Sequence, residues 1–251
     1  MNSIVVSSMV FACVFAGALA GMALRRAVPE DHLGSDTKDV LKMAMGLIAT
    51  MSALVLGMLV STAKSSYDTR KNEVAEMSSM VVIIDQLLAG YGPETKDARE
   101  ELRDIVVLGL DRVWPGEASR QSDLKPKNDT QSFYSQLQAL TPKNDVQSAA
   151  KAEVISVASN LRQIRWRIFV EAEQTSMSIP LLLVLVSWLV VIFVCFGFFS
   201  PPNTTVIVML LICALAVSAA IFIIMEMYTP FSGVLKISPA PIREALSQIG
   251  H

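Results

Sequence analysis

The sequence predicts an all-α, four-span integral membrane protein with a helical soluble domain inserted between spans two and three. Three observations carry this. Apolar residues make up 52% of the 251 positions, with a mean hydropathy of +0.47. They are gathered into four blocks rather than dispersed at amphipathic spacing. Each block is long enough for the roughly 20 apolar residues that cross about 30 Å of hydrocarbon.

The first block, residues 4–24, is uncharged and closes on Arg25 and Arg26. Ala18-Leu19-Ala20 has the look of a small-residue cleavage site, but no Lys or Arg precedes the block and its apolar run exceeds a signal peptide's. A retained span is the better reading. The second, residues 41–63, carries Lys42 at one edge and ends at Lys64. Residues 1–63 thus form one transmembrane hairpin. The third and fourth, residues 179–199 and 206–227, flank Pro201-Pro202 and form a second hairpin over 179–228. Residues 229–251 follow as a tail with a short amphipathic helix.

The soluble region, residues 64–178, opens on Tyr67, Val74, Met77, Val81, Ile84 and Leu88, with Arg70 the one polar break. It closes on Ala150, Val154, Val157, Leu161, Ile164 and Ile168. Both stripes recur at helical spacing and must be buried against other helices. The two long helices are expected to run directly out of spans two and three as an antiparallel pair. Their combined seams offer more apolar surface than one pair can bury, which predicts a homo-oligomer. Between them lie an amphipathic helix over residues 95–113, a polar loop over 115–130 and a short helix over 131–140. Thr141-Pro142 is placed as the N-cap and first residue of the closing helix.

An even number of spans puts both termini and the soluble domain on one side. Eight lysines and arginines near the helix ends lie on that side (Lys64, Arg70, Lys71, Arg162, Arg165, Arg167, Lys236, Arg243), and four on the other (Arg25, Arg26, Lys38, Lys42). The expectation is a bacterial inner or plasma membrane, with the soluble domain and termini cytoplasmic. The net charge of −2 argues against a nucleic-acid partner. Cys13, Cys195 and Cys213 sit in apolar blocks without metal-ligand spacing, and no cofactor is expected. No phosphate loop, HExxH, CxxC or nucleophile elbow is present, so no enzyme is expected.

Span two is the most informative helix. Lys42, Gly46, Thr50, Ala53, Gly57, Ser61 and Lys64 share one face of about 100° at 100° per residue. Leu47, Ile48, Met51, Val55, Met58 and Leu59 lie opposite. Two readings stand: small residues that let helices pack closely, or a water-filled pore wall with anion-attracting lysines at its mouths. Gly17 and Gly21 in span one form a small-xxx-small pair and are expected to pack helices. Glu226, the one acidic residue inside a span, is either interfacial or buried beside a basic group.

The tail Pro230-Phe231-Ser232-Gly233-Val234-Leu235-Lys236-Ile237-Ser238-Pro239, followed by Ile242, Ala245 and Leu246, resembles the closing signature of the bestrophin-like membrane domain family. The Gly46–Lys64 span with the charged helix after it, residues 67–76, also resembles that family. The resemblance implies several subunits, five in bestrophins proper, around a central pore lined by the second helix. The ligands would be inorganic ions, and the surroundings membrane lipid. The aromatic-rich neck and acidic calcium clasp of bestrophins are missing, so calcium gating and anion selectivity are not carried over. Two functions compete: an oligomeric ion channel, anion-conducting by its lysines, and a non-conducting scaffold or sensor whose soluble domain binds a protein.

Overall fold

In a computed structural model, residues 2–27, 35–114, 130–168 and 179–249 are described. They form helices α1 (Ser3–Ala27), α2 (Ser35–Tyr91), α3 (Lys96–Val113), α4 (Thr130–Ala139), α5 (Asp145–Trp166), α6 (Ile179–Phe199), α7 (Thr204–Met227) and α8 (Ala240–Gln248). No strand occurs among the described residues. Four helices are long and apolar enough to cross a membrane. The chain divides into two units, Met1–Tyr67 with Ser176–Thr229, and Asp68–Thr175 with Pro230–His251.

The first unit is built on contact between α1 and α6. A Cβ added at Gly21 would stand 2.0 Å from the Val194 carbonyl oxygen, and one at Gly197 2.0 Å from that of Ala18. A Cβ at Gly17 would meet Val190 Cγ1 at 3.2 Å. Backbones therefore touch where the glycines lie, the geometry that small residues permit between membrane helices. Val10, Val14, Ala18 and Met22, each four residues on, carry α1 into a core shared with Leu185 and Phe193 of α6 and Ala214 and Ile221 of α7. The Ser218 hydroxyl donates to the Ser7 carbonyl at 2.6 Å, tying α7 to α1 by a buried polar bond. Leu59 and Ala63 bring one side of α2 onto this core.

The second unit has a core of its own. Ile84 and Leu88 of α2 pack with Ala98 and Leu102 of α3, Phe133 and Leu137 of α4, and Val154 and Ala158 of α5. The α2 seam is closed: Val74, Val81, Ile84 and Leu88 are buried. Its polar break is explained as well. Arg70 lies buried in the seam, donating to Glu73 at 3.0 Å and to the Arg167 carbonyl at 3.1 Å. Asp85 accepts twice from Arg99, both at 2.8 Å, which holds the guanidinium pKa above its ordinary value. Other seam positions, Tyr67, Met77, Ala150, Val157 and Leu161, are only half-buried.

One boundary follows the sequence reading and one departs from it. As expected, α2 runs on past Lys64 without a break, 57 residues in all, about 85 Å at 1.5 Å per residue, to Tyr91. Gly92, at φ 139°, stops it in a conformation open to glycine, and Pro93 follows. Thr95, fully buried, then donates its hydroxyl to the carbonyls of Leu88 and Gly92. At α5 the cap is Asn144, not Thr141: its Oδ1 accepts from the Gln147 amide at 2.7 Å. Gln147 Oε1 in turn accepts from the Lys143 amide at 2.7 Å, and this reciprocal pair outcompetes Thr141-Pro142. Residues 115–129, expected as most of a polar loop, and 169–178, expected to join α5 to span three, lie outside the described residues.

The tail folds onto α3. Trp114 Nε1 donates to the Ile237 carbonyl at 2.9 Å, its ring meets Phe231 edge-on at 5.6 Å, and Ile237 N donates to Pro230 O at 2.7 Å. Gly233, at φ 85°, makes the turn between Phe231 and Ile237. The signature residues are thus the ones that close this loop.

Gly21→Val should destabilise the protein by roughly 1–3 kcal/mol, because the obstacle is backbone and cannot swing aside. Thermal unfolding in detergent reads this. Gly109→Ala, whose Cβ meets nothing within 4 Å, is the control that should hold or gain stability. Equal stability of Gly21→Val and the native chain would mean that α1 and α6 do not touch.

Candidate functional site

The membrane-level part of α2 presents three sides, and the structure sorts its residues among them. Ser52, Leu59 and Ala63 are buried, with Ile48, Val55 and Leu56 half-buried beside them. Leu47, Met51, Leu54 and Met58 are exposed and apolar. The sequence reading placed Leu47, Met51 and Met58 on the same face as Ile48, Val55 and Leu59; only the latter three turn toward the chain's own core. The third side is Lys42, Gly46, Thr50, Ala53, Gly57, Ser61 and Lys64, and every one of these is exposed.

Among the described residues, that third side has no packing partner at its glycines: a Cβ at Gly46 or Gly57 would meet nothing within 4 Å, in contrast to Gly17 and Gly21. Of the four spans, α2 is also the least enclosed, with 11% of its apolar window buried against 28–39% for the others. The Thr50 hydroxyl donates to the Leu47 carbonyl at 2.8 Å, so it is satisfied by its own helix. Lys42 sits 3.7 Å from Asp39, both side chains well exposed, which offsets part of the charge assigned to that end.

Beyond Lys64 the spacing of that third side lapses, because half-buried Asp68 and Val82 interrupt the exposed positions Lys71, Ala75, Ser79, Gln86 and Ala89.

Glu226 is buried in the last turn of α7. Its backbone carbonyl accepts from the Thr229 amide at 3.0 Å and the Thr229 hydroxyl at 3.2 Å, closing the helix end. Among the described residues, no group of three His, Cys, Asp or Glu could hold a metal ion.

The sequence profile of the family described as Bestrophin-like domain matches residues 12–242. No curated protein and no solved structure matches the chain. The family match and the four long apolar helices together make this a helical membrane protein.

Gly57→Leu should leave helix content unchanged and thermal unfolding within about 0.5 kcal/mol of the native chain, as for surface substitutions away from packed features. Circular dichroism in detergent measures both. A large loss would show that the chain itself covers this face.

Proposed function

The chain belongs to the bestrophin-like family, and on that premise we propose that it is an oligomeric ion channel whose pore is lined by the second helix. The observation that carries this is the face from Lys42 to Lys64: small, hydroxylated, exposed along a whole span, and unpacked at both glycines. Several copies around an axis, five by resemblance to bestrophins, would turn these faces inward. Gly46, Ala53 and Gly57 then leave room for water, and Thr50 and Ser61 offer hydroxyl oxygens to a hydrated ion. Lys42 and Lys64 repeat once per subunit, so each mouth carries a ring of positive charge that concentrates anions. Asp39 weakens the ring at Lys42. The exposed apolar side, Leu47, Met51 and Met58, suits lipid or a neighbouring subunit. This reading assigns conduction and no catalytic step.

Cysteines at Thr50, Gly57 and Ser61 should react with small charged thiol reagents once Cys13, Cys195 and Cys213 are replaced, since thiolate chemistry needs water. Cysteines at Ile48, Val55 and Leu59 should stay silent. In planar bilayers, modification at Gly57 should reduce current, and Lys42→Glu should narrow or reverse the preference for anionic reagents. Silence on both sides of α2 would remove the pore and leave a scaffold whose soluble unit binds a protein.

The soluble unit is assigned to the cytoplasm on the lysine and arginine distribution. In the same background, a cysteine at Asp123 should resist an impermeant thiol reagent applied to intact cells and react after permeabilisation. Labelling before permeabilisation would invert the topology.

A further inference from the structure

The end of α5 carries a surface that conduction does not use. Trp166 is 67% exposed, whereas Trp114 in the same unit is 5% exposed and hydrogen-bonded. Trp166 shares an open, shallow cavity of about 550 Å³ with Arg162, Gln163 and Arg167. The Arg162 guanidinium lies over the Tyr134 ring at 5.2 Å from its centroid, which holds it on this side of the helix. The Arg167 side chain is half-exposed, with Nε 3.9 Å from Glu73, a carboxylate that Arg70 already engages at 3.0 Å. From Ile155 to Ile168 the sequence holds Arg162, Arg165 and Arg167 and no acidic residue.

A large indole among guanidinium groups is a poor surface for bulk water and a good one for the boundary of a bilayer. Tryptophan concentrates where headgroups meet acyl chains. Arginine forks match phosphate oxygens in pairs. The patch lies close in sequence to two spans. Arg70, which grips the Arg167 carbonyl at 3.1 Å, stands six residues along α2 from Lys64, and α6 begins at Ile179, twelve residues beyond Arg167.

We propose that Arg162, Trp166 and Arg167 form a docking surface for the anionic phospholipid headgroups of the membrane that the chain's own spans cross. The indole sits at the carbonyl level, and the two guanidinium groups take phosphate.

The test uses the full-length protein in nanodiscs of phosphatidylcholine alone and of phosphatidylcholine with phosphatidylglycerol in equal parts, with acyl chains brominated near the carbonyl. The fluorescence difference between the native chain and Trp166→Phe isolates Trp166. It should be quenched by the brominated lipid, and more strongly with phosphatidylglycerol. Arg162→Gln and Arg167→Gln should each weaken the preference for phosphatidylglycerol by roughly fivefold, the effect of one basic side chain near an anionic surface. Inorganic phosphate added to neutral nanodiscs should change nothing. Quenching equal in the two lipid mixtures, or reproduced by phosphate alone, would overturn the headgroup assignment. Quenching of Trp166 by aqueous acrylamide and not by lipid would overturn the membrane contact. Resistance to both quenchers would do the same, by assigning the patch to a second protein copy.

Discussion

At Gly21 and Gly197 the backbones of α1 and α6 meet with no side chain between them, and the first unit is arranged around that contact. Lipid tails are as apolar as leucine, so burying leucine between helices gains little in a bilayer; close fit and interhelical hydrogen bonds must hold the spans together. The glycines supply the fit, and the Ser218–Ser7 bond supplies the polar tie to α7. Three spans share one core in this way, with 28–39% of their apolar windows buried. The fourth, α2, lends them only the side that carries Leu59 and Ala63.

The consequence for α2 is an asymmetry that composition alone does not display. Its small residues look like those of α1, yet they do the opposite. Gly17 and Gly21 are small because another backbone is there; Gly46 and Gly57 are small with open space in front of them. A glycine in a helix interior carries an entropic disadvantage of about 1 kcal/mol against alanine in water. Among the described residues these positions bear this cost without an intrachain contact in return, and the pore proposed above is a role that would account for it.

The four spans were legible because hydrocarbon thickness dictates a minimum apolar length, and residues 4–24, 41–63, 179–199 and 206–227 meet it without ambiguity. The small-residue face of α2 was legible from its spacing. The sorting of the rest of that helix was not. Leu47 and Ile48 are both aliphatic, and only the positions of α1, α6 and α7 decide which one turns inward. The continuation of α2 past Lys64 was legible from the helical spacing that Val74, Met77, Val81, Ile84 and Leu88 keep beyond it. Charge ends an apolar run but breaks no backbone hydrogen bond, so a helix can cross that boundary. Asn144 was passed over as a cap because proline after Thr141 is the louder signal, while the Gln147 pairing that selects Asn144 depends on two side chains meeting in space. The tail was recognised by resemblance, and its physical reason, the clasp of Phe231 and Ile237 on Trp114, came only with the fold.

That clasp has a temporal side. Trp114 and Ile237 are 123 residues apart, and both transmembrane helices of the second hairpin are made between them. At about 5–20 residues per second, synthesis of that stretch takes roughly 6–25 s. Throughout it the α3 surface that will receive the tail is left open and the indole N–H lacks its native acceptor. A buried donor without a partner is worth about 1–3 kcal/mol of instability. The second unit therefore reaches its full stability only after α6 and α7 have been made. Order of manufacture is written into the fold: a ribosome that stalls within the second hairpin leaves behind a second unit that lacks its final strap.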